Sequence, residues 1–451
     1  MPTVEDARAA HDRGDSAAAV AILRRLAEAG DAWAQYHLGS MLERGIGTDR
    51  NYEEAARWYH AAAAQDIANA QHRLGVLYDA GRGVARDSGA AARWYRLAAD
   101  KGDDASQYNL ALLYATGRGV PHDDAEAVRW YRLAADQGFA MAQHNLGTMY
   151  DRGLGVPRDD REAARWYRAA ADQGLAEAQH GLGSLYADGR GVPRDDAEAV
   201  RLYRMAADQG LPHAQLSLGH MYADGRGVPQ DDGEAVRWFG VAAEQGFASA
   251  QYALGVRYDY GKGVAQDHAA AARCYRAAAE QGHACAQFGL GVMYAQGLGV
   301  PSDHGEAVRW YRAAAEQGVA TAQQSLGCMY GNGWGVPQDF REAARWLRAA
   351  AEQGDALGQH DLGTCYCKGL GVPQDYREAA RWFRAAADQD FADSQHALGA
   401  LYEHGLGVPR DPAEAERWYR AAADPGHDDA RHGIDSRWTT KPGAPDAAGQ
   451  S

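Results

Sequence analysis

Histidine, cysteine, glycine and arginine recur in this chain at spacings that invite four kinds of chemistry. Five of the seventeen histidines (His72, His144, His180, His360 and His396) share one register, which raises the question of a metal centre. Ligands around one zinc must converge to about 2.1 Å from the ion. Residues one helical repeat apart sit roughly a helix diameter, about 10 Å, from each other, so this register spreads the imidazoles out and no metal site is expected. Cys365 and Cys367 lie two apart and point to different faces of a helix. Together with Cys274, Cys285 and Cys328 they make an odd number at irregular spacing, unlike the dense framework of a secreted disulfide protein. They read as small apolar residues in a reducing, cytoplasmic setting.

The pair Gly189-x-Gly191 has part of the spacing of a dinucleotide-binding loop, but it follows a helix instead of a strand, lacks the third glycine and recurs in every unit. It is a helix stop. The arginines from Arg57, Arg93 and Arg129 through Arg417 form a ladder that could track an anion. Acidic residues one helical turn away are expected to pair with them instead. No polar cluster that interrupts the pattern stands out, so neither a catalytic residue nor a cofactor is expected.

The elements that position these residues come from a repeat. "GRGVPRDDAEAVRLYRMAADQG" begins at residue 189, and "GRGVPQDDGEAVRWFGVAAEQG" begins 36 residues later. From Gln35 and Gln71 to Gln359 and Gln395 the same glutamine returns every 36 residues through eleven units. A fixed period of this length is the mark of a solenoid and overrides any domain count drawn from length.

Each unit reads as two helices. The first, for example residues 177–188, places Ala178, Leu182, Gly183 and Tyr186 on one face. A glycine inside a helix costs about 1 kcal/mol relative to alanine, so its return beside the leucine implies close approach of a neighbouring helix; Ala111 is the one exception. Gly189 then ends the helix in the left-handed conformation, with Val192 expected under the turn. The second helix is predicted to start at Asp195, with Glu198 completing a capping box in which both side chains satisfy free amides. It buries positions equivalent to Ala163, Trp166, Tyr167, Ala170 and Ala171. A two-helix unit cannot bury such a face alone, so it must stack on its neighbours.

The net charge of −15 and pI near 5.6 argue against nucleic acid or an anionic membrane as the main partner. No basic and apolar leader opens the sequence, and no run of apolar residues approaches a membrane span.

The pattern A-x-A-Q-x-x-L-G-x-x-Y-x-x-G-x-G-V-x-x-D-x-x-E-A-x-x-W-Y-x-x-A-A-x-x-G resembles the Sel1-like repeat, a relative of the tetratricopeptide repeat, over roughly residues 33–424. The resemblance implies an all-α fold: a right-handed α-solenoid superhelix of about eleven 36-residue helix-turn-helix repeats, first helices lining its concave side. It also implies a protein that binds other proteins and does no catalysis of its own. Paired cysteines that bridge the two helices in one branch of that family are missing here. Residues 1–32 are expected to form an N-terminal capping half-repeat, 425–438 a C-terminal capping helix in which Ala430, Ile434 and Trp438 take the core slots, and 439–451 a disordered tail.

The positions at which the units disagree lie two before the fixed glutamine and one, five, eight and nine after it. In the related tetratricopeptide repeat these positions line the ligand groove. They give the candidate partner-binding residues His144, Thr148, Asp151 and Arg152; Glu177, His180, Ser184 and Asp188; His213, Leu216, His220 and Asp224; Tyr252, Val256, Asp259 and Tyr260; and Phe288, with Val292 and Gln296 following it. Aromatic, imidazole and acidic groups together suit a peptide with apolar anchors and cationic side chains. The function expected is a monomeric, non-enzymatic scaffold or adaptor for protein or peptide partners. The alternative is a regulatory subunit that activates a partner enzyme. A hydrolase-type enzyme would need a pocket of perturbed titrating groups outside the repeat pattern.

Overall fold

A computed structural model describes residues 3–423. The expected C-terminal capping helix and tail lie outside the described residues. Twenty-four helices, and no strand, make up the described chain, an all-α solenoid that divides into two compact units at Gln230 and Asp231.

The first unit opens with a hairpin of Val4–Asp12 and Ser16–Glu28. Thr3 accepts from the amide of Asp6, and the Asp6 carboxylate accepts from the amide of Thr3. First and second helices then alternate; Ala176–Asp188 and Asp196–Asp208 are one such pair. The second unit begins with a second helix, Asp232–Glu244, and continues in the same alternation to Pro412–Ala422.

Within a repeat the two helices meet at glycine. A Cβ on Gly183 would stand 2.8 Å from the Tyr203 ring, closer than a side chain tolerates without the ring moving. The neighbour that requires this glycine is therefore the second helix of the same repeat. The large residues divide their work: Trp166 packs into the cluster built around Leu110, Trp130 and Leu146, whereas Tyr167 packs with Ala178, Leu182 and Leu202 of the next repeat. Val192 lies against that second cluster, under its turn.

Three contacts, two of them hydrogen-bonded, clamp one repeat to the next. The recurrent glutamine is buried because it bridges two helices. Gln143 donates to the carbonyl of Ala135 at 3.1 Å, in the preceding repeat, and accepts from Gln173 at 2.8 Å. Arg168 donates to the hydroxyl of Tyr186 at 2.6 Å. The second glycine of the turn supplies the third contact. Gly191 has φ +67°, and a Cβ there would overlap the backbone carbonyl of Asp160 at the start of the preceding second helix.

The capping box is corrected. Asp195 caps as expected, accepting from the amide of Glu198 at 3.0 Å. The Glu198 carboxylate, however, turns outward to Arg201, at 2.7 Å. The Asp195 amide that a box would use already donates to the carbonyl of Tyr186 at 3.0 Å, which leaves the glutamate free to take the cationic partner on the next turn. The same Arg–Glu pairing recurs from Arg129–Glu126 to Arg417–Glu414, which gives most of the arginine ladder the expected partner. Arg93 and Arg273 have alanine at the glutamate position.

Candidate partner-binding face

In the first unit the first helices Ala140–Arg152, Ala176–Asp188 and Pro212–Asp224 carry the variable residues. The variable positions fall into two chemical groups. Those one and five after the glutamine turn towards the second helix of their own repeat. His144 stacks on Tyr167 with ring centroids 5.5 Å apart, and Thr148 shares a hydrogen bond with the Tyr167 hydroxyl at 3.1 Å. His180 repeats this on Tyr203 at 5.4 Å, and Tyr203 donates to Ser184 at 3.2 Å. His180 also meets Ser217 at 3.1 Å and the His213 ring at 6.2 Å, both on the next first helix.

This packing sets the charge state of the imidazoles. Burial pushes the His144 pKa down, and pushes that of His180 down to about 4, with His213 and His144 adding like-charge opposition. Both rings are neutral at pH 7, so they offer flat, half-apolar faces. The Nδ1 of His144 is buried without a hydrogen-bond partner among the described residues.

The second group stands in water. Arg152, Glu177, Asp188, His213, His220 and Asp224 are exposed. Asp151 is half-buried and tied to Arg190, which also holds Asp160 at 2.7 Å. Leu216 is half-buried. His144, Thr148, Asp151, Arg152, Glu177, His180, Ser184 and His213 converge on one open cleft of about 360 Å³, which Tyr167 and Arg190 also line. Leu216, Asp188, His220 and Asp224 are outside the residues that line it.

In the second unit the corresponding residues form separate contacts. Tyr252 stacks on His283 at 4.8 Å, and Val256 packs against the cluster around Leu290. Asp259 meets His268 at 2.9 Å and accepts from the Tyr275 hydroxyl at 3.4 Å. Tyr260 is 68% exposed. Phe288 lies 5.8 Å from the Tyr311 ring and, with Val292, against the core cluster around Leu326; Gln296 lines a separate small pocket.

That pocket contains what sequence reading missed. Gln324, Cys328 and Asp361 form a buried polar cluster: Gln324 donates to Asp361 at 2.8 Å, and the Cys328 thiol lies 3.5 Å from the same carboxylate oxygen. Asp361 is 1% exposed. The signal was present in the repeat. Gln324 occupies a slot that holds an aromatic or imidazole ring in nine of the other ten units, and its partner slot on the second helix holds Leu347 where the others hold Tyr or Phe. Among the described residues no group of three or more His, Cys, Asp or Glu side chains is arranged to hold a metal ion, and no helix is long and apolar enough to cross a membrane.

A run of helical hairpins, each packed on the one before and the one after, defines a repeat solenoid. The chain belongs to the Sel1 repeat family: the family model described as Sel1 repeat matches eleven consecutive copies, from residues 34–67 to residues 392–427. Proteins of this repeat are generally non-catalytic scaffolds. Among solved structures, the chain is similar to a protective antigen of uropathogenic Escherichia coli strains that displays the same repeat fold. The two are 39% identical with a TM-score of 0.73, over 90% of this chain and 86% of that one. It is also similar to a Sel1 repeat protein from Oxalobacter formigenes, at 37% identity and a TM-score of 0.53, over 68% of this chain and 89% of that one. A search of the curated proteins found no significant match.

Proposed function

We propose that this chain is a non-enzymatic scaffold that holds a protein or peptide partner on the first-helix face of its first unit. The observation that carries the reading is the cleft over Tyr167: its walls come mainly from positions at which the repeats disagree, whereas the positions that build the fold stay constant. Two neutral imidazoles, His144 and His180, supply apolar faces there, and Glu177 and Arg152 supply charge at the rim. A partner chain that lays an apolar side chain over the imidazoles and a basic one beside Glu177 matches this surface. The surface is preformed, so little ordering entropy opposes binding. The scaffold acts as a monomer; its reducing compartment is a reading supported by five unbridged cysteines, of which Cys365 is fully buried.

The test keeps the fold intact by changing exposed residues alone. A variant with Arg152→Ala, Glu177→Ala, Asp188→Ala and Asp224→Ala is compared with wild type in a quantitative pull-down from lysate of the source cells, with circular dichroism matched beforehand. The reading expects a partner held by wild type and lost by the variant. The same partner held equally by both places binding elsewhere on the chain.

A further inference from the structure

We infer that the pocket beside Trp334 in the second unit receives a single phenolic ring, the tyrosine side chain of a protein partner. Three observations converge there. The first is size. In nine repeats the residue after the glutamine is a ring that stacks on the second helix, as His360 does on Phe383 at 5.4 Å and Phe288 on Tyr311 at 5.8 Å. Gln324 breaks this series, and its amide is drawn away to Asp361 and to Cys328, at 2.8 and 3.0 Å. The pocket that Gln324 lines together with Tyr311 and Trp334 measures about 130 Å³; an engineered apolar cavity of roughly 150 Å³ accepts benzene.

The second observation is the rim. Trp334 fills the slot between the two turn glycines, where other repeats carry Arg, Lys, Leu or Ile, and it is 41% exposed. It stacks on His304 with centroids 5.9 Å apart and planes 17° apart, so a flat aromatic wall stands at the mouth. A further ring adds to such a stack at ordinary centroid distances of about 4.5–7 Å.

The third is polarity. Tyr311 lines the same pocket. In sibling repeats the equivalent hydroxyl is satisfied within its own repeat, by Thr148 at 3.1 Å for Tyr167 and by Ser184 at 3.2 Å for Tyr203. Val292 stands in the corresponding place here and offers the Tyr311 hydroxyl no hydrogen bond. With the Gln324 amino group already spent, that hydroxyl and the Gln324 carbonyl join Gln296, His304 and Asn332 among the polar groups that line the pocket. A ring bearing its own hydroxyl, which both donates and accepts, complements them. An all-carbon ring does not.

This inference rests on the scaffold reading only in taking the occupant from a protein. Its residues all lie in the second unit, so its failure leaves the cleft over Tyr167 untouched. The experiment is ligand-observed saturation-transfer NMR on the full chain with p-cresol, toluene and N-acetyl-L-tyrosinamide. We expect p-cresol and the tyrosinamide to bind at millimolar concentration, with toluene weaker. Trp334→Leu, which installs the residue present at Leu298 and Leu370, should weaken p-cresol about tenfold. Gln324→Phe, which installs the residue present at Phe288, should abolish it; if that variant fails to fold, Trp334→Leu decides alone. Absence of p-cresol binding, or equal binding to Trp334→Leu, overturns the site. Binding of p-cresol without the tyrosinamide overturns the partner side chain in favour of a free small phenol.

Discussion

At the residue scale, Gly174, which follows the second helix Asp160–Ala171, and Gly191, the second glycine of the turn, are required for different reasons, and variants separate them. Gly174 has φ +89° with nothing within 4 Å of a would-be Cβ, so Gly174→Ala meets only the left-handed backbone cost of about 1–2 kcal/mol. Gly191 adds an overlap with the Asp160 carbonyl in the preceding repeat. Urea denaturation should therefore rank Gly191→Ala as more destabilising by at least about 1–3 kcal/mol, the usual cost of overpacking. Equal losses would show that the turn does not press on its neighbour. The glycine pattern was visible in the sequence and its role as a helix stop followed from chemistry. The inter-repeat overlap was not legible, because periodicity says nothing of which backbone lies opposite.

His180 gives a second prediction at this scale. Its pKa is depressed by burial to about 4 in the fold, against about 6.5 in an unfolded chain. The unfolded chain thus binds more protons between these values, and stability falls as pH drops through that window. Above pH 6.5 the ring is neutral in both states and contributes no pH dependence. Thermal melts from pH 7 to pH 4.5 should show a falling Tm, with a shallower fall in His180→Phe. A slope unchanged by that substitution would mean the ring is not held neutral by packing.

At the scale of the element, the second helix begins with a cap and not a box. Asp195→Ala should cost about 1 kcal/mol. Glu198→Ala should cost no more than about 0.5 kcal/mol, since Glu198 pairs with Arg201, which is 58% exposed. Comparable losses from the two variants in denaturant melts would restore the reciprocal box. The sequence motif Asp-x-x-Glu was read correctly for the aspartate and wrongly for the glutamate, because local spacing does not reveal that the carbonyl of Tyr186, on the preceding helix, already takes the Asp195 amide.

Between elements, residues 30 apart meet in several repeats. The slot between the turn glycines and the first position of the preceding second helix form an ion pair at Arg190–Asp160 and Arg226–Asp196, both 2.7 Å. The same two slots hold a cation over a ring at Arg82–Tyr52, and stacked rings at Trp334–His304. The chain therefore writes its repeat-to-repeat contacts in several chemistries on one backbone. That pairing was readable in the sequence once the 30-residue offset was known, and the offset comes only from the structure. The candidate face was legible as a set of variable positions. Its division into half-buried imidazoles and exposed charges was not, since a helix wheel cannot show that Tyr167 and Tyr203 reach across to cover one side of it.

At the scale of the molecule, helices in each unit pack mainly on the helix before and the helix after. Stability in such an array is a sum of repeat and neighbour terms, without a single core that must form at once. Unfolding followed by circular dichroism, tryptophan fluorescence and hydrogen exchange should give transitions that do not coincide. One sharp, coincident transition would mean that the repeats are coupled far beyond their neighbours. The solenoid was the most legible feature of all, because eleven copies of one sentence leave little choice of fold.

The central claim is that the partner lies on the first helices of the first unit, and a footprint tests it most directly. Hydrogen–deuterium exchange of the full chain, alone and with the partner that wild type captures, resolves protection helix by helix. The account predicts protection in Ala140–Arg152, Ala176–Asp188 and Pro212–Asp224, with the second helices Asp160–Ala171 and Asp196–Asp208 unchanged. Protection confined to those second helices, or to the glycine turns, would contradict it.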